Sequence, residues 1–213
     1  MLGKALRYRF AGAGAVLVVM GLVGASAAAG ASVPRTAGAP VVFTGSITCS
    51  VTGHMLSNPP LTMASQTTTL TLTASLTGCS GSTTEKKVTI IHGSLNATTT
   101  LTASCMSLQT SKGLNPTGTI HWATKNGTAS PTKLSFSSAT SSVSTGTGAI
   151  TVSLPGTGTA VTTGSFAGKT SKATIVFDQT WSSLAGQCLF PIGGGVNLLS
   201  FTGVLGPSAA SIG

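Results

Sequence analysis

The side chains that could do acid–base or nucleophilic chemistry are few. The 213-residue chain has two carboxylates, Glu85 and Asp178, and three histidines, His54, His92 and His121. Glycoside hydrolysis would have to use both carboxylates, one of them kept protonated. Glu85 stands in STTEKK, where two lysines favour the ionised form, the reverse of what a general acid needs. Asp178 follows a strand-like run and reads as a helix N-cap or turn residue. A serine hydrolase would want a G-x-S-x-G elbow, and none is present. His92 precedes Gly93 and His121 alternates with Ile120, contexts that suit surface or edge residues. The expectation is a protein without a catalytic residue. Its alternative is a hydrolase using Asp178 or Glu85 with a histidine, which requires two of these five groups to meet in a cleft. H-x-H, H-E-x-x-H and Asp-rich calcium loops are missing, so neither a metal nor another cofactor is expected.

The four cysteines, Cys49, Cys79, Cys105 and Cys188, are spaced by 30, 26 and 83 residues. Zinc sites favour closely spaced C-x-x-C pairs, whereas an even set in an exported chain reads as two disulfides. Three pairings exist. The preferred one joins Cys79 to Cys105, closing a local excursion, and Cys49 to Cys188, joining the first strand to the last part of the chain. Trp122 and Trp181 are the candidate ligand contacts, since exposed indoles grip sugar rings; the competing reading makes both core residues. Asn96-Ala-Thr and Asn126-Gly-Thr match the glycosylation acceptor pattern, and Asn126 also suits a turn.

An export signal explains the N-terminus. MLGKALRYRF carries Lys4, Arg7 and Arg9 without an acid. An uncharged run, Ala11 to Ala25, follows, and then the small residues ASAAAGAS. Basic, apolar and small-residue segments in that order form a secretory signal peptide, 1–31, with cleavage after Ala29 or Ala31. The apolar run is shorter than the ~20 residues a bilayer-spanning helix needs. Residues 32–40 read as an exposed lead-in and 41–213 as one all-β domain, secreted, with no membrane span. Three of the eleven basic residues lie in the signal, so eight bases against two acids leave six positive charges. Only Lys86 and Lys87 adjoin, and nucleic acid is not an expected partner. Weak attraction to anionic cell-wall polymers or a glycan is what such a charge suggests.

Positioning these residues falls to strands. In TTTLTLTASL, Leu70, Leu72, Ala74 and Leu76 alternate with Thr69, Thr71, Thr73 and Ser75, giving one buried and one wet face. AITVSLP and KATIVFD repeat the pattern. Further strands are expected at 42–51, 87–92, 98–106, 119–124, 131–136 and 195–204, with Asn126–Gly127 as a type I′ turn and Pro131 at a sheet edge. One short helix is expected in 178–187. About nine strands and two disulfides predict an antiparallel β-sandwich of two sheets, with an up-and-down β-barrel as the alternative. TTTL recurs at 67 and 98 with TAS after each, but offsets of 31 and 29 break the repeat, which argues against the regular T-x-T ladder of an ice-binding face. Thr-rich edge strands could instead support self-association or strand addition.

The segments ITCSVTG, NPPLT, LTASLTGCSGS, TIHW, GSFAG and the late Gly-Gln-Cys resemble a group of small exported actinobacterial proteins. The resemblance implies export, a β-rich fold and paired cysteines, and brings no catalytic or binding residue with it. The composite expectation is a secreted, non-enzymatic binding or structural module. Protein recovered from culture medium should begin at Gly30 or Ser32 by N-terminal sequencing; a start at Met1 would refute the signal peptide.

Overall fold

A computed structural model describes residues 38–109, 114–137, 139–144, 146–154, 161–189 and 194–206. The expected signal peptide and most of the lead-in lie outside these residues; Gly38, Ala39 and Pro40 are exposed. Ten strands form in chain order. They are β1 (Gly45–Leu61), β2 (Gln66–Thr83), β3 (Thr89–Ala103), β4 (Thr117–Lys125), β5 (Thr132–Ser135), β6 (Thr140–Val143), β7 (Ala149–Leu154), β8 (Val161–Gly164), β9 (Lys172–Thr180) and β10 (Val196–Gly206). A 3-10 turn (Met106–Gln109) follows β3, and one helix, α1 (Trp181–Leu189), separates β9 from β10.

The all-β, antiparallel expectation holds, but two packed sheets do not form. All ten strands belong to a single sheet in the order β6-β7-β9-β10-β1-β2-β3-β4-β5-β8. The first and last strands cause this: β1 pairs with β2 on one side and with β10 on the other. The sheet curls so that its apolar face becomes an interior. On β1 Val51 and Met55 are buried while Thr52, His54 and Leu56 are exposed; on β9 Ala173, Ile175 and Phe177 are buried. Leu114 and Ala139 exchange backbone hydrogen bonds of 3.0 and 3.4 Å, tying the approach to β4 to the approach to β6. Period-two alternation fixes which face is buried; it is silent on whether that face meets a second sheet or the far side of its own curl.

Long strands need local relief to curl. β1 and β2 shift register between Thr48 and Ser50, where Gly78 and Cys79 oppose Cys49. β3 shifts between Ile90 and His92, which joins the two expected strands 87–92 and 98–106 into one. Such bulges bend and twist a strand. Gly93 sits inside, opposite Trp122; a Cβ there would lie 3.0 Å from the indole ring, so only glycine lets the indole cross β3.

Other expectations shift for identifiable reasons. Asn126 does adopt a positive φ of 66°, yet the β4–β5 ladder ends at Ile120–Thr132. Residues 121–131 form a longer connection because Val41 inserts against it, donating to Thr128 O and accepting from Ser130 N at 2.8 Å each. The strand after Pro131 is not an edge, since β8 pairs beyond it. The helix is where it was expected, but its cap is Thr180, whose Oγ1 accepts from Ser183 N at 3.4 Å; Asp178 points outward from β9. β6 and β8 are Ser/Thr-rich and carry no alternation to read.

The cysteines pair differently from the preferred expectation. Cys49 bonds Cys79 within the β1–β2 bulge, and Cys105, just after β3, bonds Cys188 near the end of α1. The β1–β2 hairpin brings the first pair side by side, with Cα atoms 4.1 Å apart, leaving Cys105 for the helix. The second bridge spans 83 residues and holds the only described helix against the sheet, so its loop-closure entropy alone is worth about 4.5 kcal/mol. Replacing Cys105 and Cys188 together by Ser should therefore lower unfolding free energy in urea by about 3–5 kcal/mol. That loss should exceed the loss on replacing Cys49 and Cys79; the opposite ranking would contradict the assignment.

Candidate functional site

Trp122 points into the curl from β4. Its Nε1 donates to Thr132 Oγ1 at 2.8 Å, and Thr132 Oγ1 donates to Ser165 O at 2.9 Å. Ser165 Oγ in turn donates to Ser130 O at 2.8 Å and accepts from Phe43 N at 3.2 Å. Phe166, at φ 64°, lays its ring edge-to-face against the indole at 5.8 Å and stacks on Phe43 at 6.1 Å. This is a polar network sealed by aromatics, and the indole is spent inside it. Trp181, the first residue of α1, is half-buried and packs against the same core. The sequence singled out both tryptophans as possible ligand contacts; both are half-buried, and Trp122 also lines, with Phe166 and Lys169, a small pocket of about 40 Å³.

The titratable candidates sit apart. Glu85 lies in the bend after β2, where its carboxylate accepts from Lys87 N at 3.5 Å. His54, His92 and His121 all project outward and are exposed, on β1, β3 and β4. His54 faces Ser200 across the β1–β10 pair, and Asp178 follows on β9 one step beyond the last registered pair, Phe177–Phe201. A Ser-His-Asp relay needs histidine in the middle. Here serine is in the middle, with His54 and Asp178 about 10 Å apart, two strand spacings, on a convex face. None of the five groups lines a described cavity, and among the described residues no three His, Cys, Asp or Glu gather as metal ligands.

The outward face of β1–β5 offers something the sequence pattern did not advertise. Registered pairing aligns polar side chains into rows that run across the strands. One row is Thr71, Thr98, Thr117 and Ser135; the next is His54, Thr73, Asn96, Thr119 and Lys133. Further along, Thr69 faces Thr100 and Thr67 faces Thr102, with hydroxyl oxygens 3.2 and 3.4 Å apart. The two TTTL segments thus meet antiparallel, and the parallel offset that broke the repeat has no bearing on their alignment. Over β3–β5 the rows border a shallow depression of about 490 Å³. Its rim is Asn96, Thr98, Thr117, Thr119, Lys133 and Ser135, and its floor is Ala97, Gly118 and Leu134. Four hydroxyls, an amide and an ammonium face it, and no carboxylate does. Gly118, between the outward Thr117 and Thr119, lies opposite Ala97 on the inward side, where a Cβ would fall 2.6 Å from that of Ala97.

Lone Thr and Ser carry no motif, so these six residues could be found only after pairing was known. Alternation marks them as outward; register alone makes them neighbours. The chain matches no protein-family model, no curated protein and no solved structure.

The Trp122 network predicts a measurable cost. Thr132→Val preserves shape but strands the indole N–H and the Ser165 carbonyl, which should destabilise the fold by about 1–3 kcal/mol. Thermal or urea unfolding reads this out; a change below about 0.3 kcal/mol would mean that water or another group replaces the hydroxyl.

Proposed function

We propose that the chain is a secreted, non-enzymatic binding module that lays a hydroxyl-rich or anionic cell-wall polymer across the outer face of β3–β5. The observation that carries this reading is the depression rimmed by Asn96, Thr98, Thr117, Thr119, Lys133 and Ser135. Its chemistry complements such a polymer: hydroxyls and an amide that both donate and accept, one cation, and no acid to repel an anion. The rows continue onto β2 and β1 through Thr71, Thr73 and His54, so five strands spaced by about 4.8 Å offer a track of ~19 Å. A linear chain lying across the strands meets one polar side chain per step. Each such contact trades a bond to water for a bond to ligand and gains little, about 0.5–1.5 kcal/mol. Affinity must then come from repetition, which a polymer supplies and a small molecule does not. The surplus of positive charge concentrates anionic polymer near the surface without specifying it. The two disulfides suit an oxidising location outside the cytoplasm.

Co-sedimentation of the oxidised protein with isolated cell walls and insoluble polysaccharides, at low and high salt, tests the reading. Pelleting should persist at high salt, and Asn96→Ala with Thr119→Ala should weaken it about tenfold, as expected for two lost hydrogen bonds. Failure to pellet at either salt overturns the proposal, as does pelleting that the double variant leaves intact.

A further inference from the structure

Two of the five candidate titratable groups stand closer together than the rest. His92 on β3 and His121 on β4 are both exposed on the outer face of paired strands. Histidines that share a metal along one strand show up as H-x-H, and that pattern is missing. A pair on two strands is visible only through the register. The β3–β4 ladder sets Ser94 against His121 and His92 against Ala123, so the two histidines are diagonal neighbours in successive outward pairs. The register shift between Ile90 and His92 produces this arrangement. It leaves Ile91 unpaired with β4, and Ile91 and His92 are both exposed before the buried Gly93.

Diagonal neighbours in an antiparallel pair lie ~7–8 Å apart, within reach of aromatic side chains. An imidazole nitrogen holds a metal ion at ~2.0–2.1 Å. Two rings leaning together across that diagonal can therefore meet at one ion. The residue directly opposite each histidine is small, Ala123 or Ser94, so no bulky side chain fills the space between the rings. The next outward neighbours, Ser75 on β2 and Thr119 on β4, bring neither carboxylate nor thiolate. The donors are thus imidazole nitrogens and solvent, a set that suits copper, nickel or zinc and not magnesium or calcium. We propose that His92 and His121 bind one divalent transition-metal ion, copper(II) most tightly, with water completing its coordination. The preference for copper follows from the general affinity order of first-row divalent ions, since nothing in a two-imidazole site imposes a geometry against it. The site lies beside the polar depression on the same face and does not depend on what binds there.

Titration of the oxidised protein, free of any histidine tag, with copper(II) chloride tests the proposal. Calorimetry reads stoichiometry and affinity. Quenching of tryptophan fluorescence reports position, because Trp122 directly follows His121. Saturable binding of one ion per chain is expected, with zinc(II) bound more weakly. His92→Asn and His121→Asn should each weaken binding by about 10–100-fold, since losing a ligand costs at least as much as losing a group that orients one. His54→Asn, at an exposed histidine on β1, should leave the affinity unchanged. All three positions are exposed, and urea unfolding of each variant should stay cooperative. Absence of saturable binding, undiminished affinity in either single variant, or an equal loss in His54→Asn overturns the site. Zinc(II) binding as tightly as copper(II) overturns it too. Wall pelleting in the presence of a chelator is a separate readout, so failure of either proposal is visible without the other.

Discussion

Registered pairing of β1, β2 and β3 governs both faces of this molecule at once. Leu70, Leu72, Ala74 and Leu76 point inward only because Thr69, Thr71, Thr73 and Ser75 point outward, and the same alternation runs through the neighbouring strands. A slip of one residue would turn every leucine to water and every threonine into the core. The Cys49–Cys79 bridge lies at the one place where the β1–β2 register shifts, so a covalent bond sits where the ladder is least self-specifying. From that register follow the apolar interior, the Trp122–Gly93 crossing and the rows of hydroxyls outside.

The economy of charge makes sense in this light. With so few ionisable groups, the surface stays wet through Thr, Ser and Asn, residues that also suit a pleated strand. Thr69 and Thr100 show the consequence, their hydroxyls meeting at 3.2 Å across the ladder. Inside, the polar groups around Trp122 are satisfied: Thr132 and Ser165 bind the Trp122 indole, Phe43 and one another's loops. The rows of hydroxyls outside and the apolar interior are two consequences of one alternation, one on each side of the same sheet.

Closure of the curl rests on contacts remote in sequence. Val41 pairs with the 128–130 connection, Leu114 with Ala139, and Cys105 with Cys188 on α1. Each joins segments that local pattern treats as loops. Ring contacts among Phe43, Phe166 and Trp122 hold one end of the interior together; where β3 outruns β4, the apolar lining is left half-buried. The half-buried Leu72 and Val152 mark that difference.

By itself the sequence determined the all-β character, the buried face of the alternating strands such as β2, β7 and β9, the short helix near Cys188 and the use of all four cysteines in disulfides. These follow from period-two alternation, turn residues and cysteine parity, which act over a few residues and survive any arrangement of the strands. The number of sheets, the partner of each cysteine, the fate of Trp122 and Trp181, and the company kept by Asn96, Thr119 and Lys133 were decided by tertiary structure alone. Each depends on which strand lies beside which. Alternation is identical in a sandwich, a barrel and a curled sheet, so it could not choose among them; the pairing of β10 with β1 did.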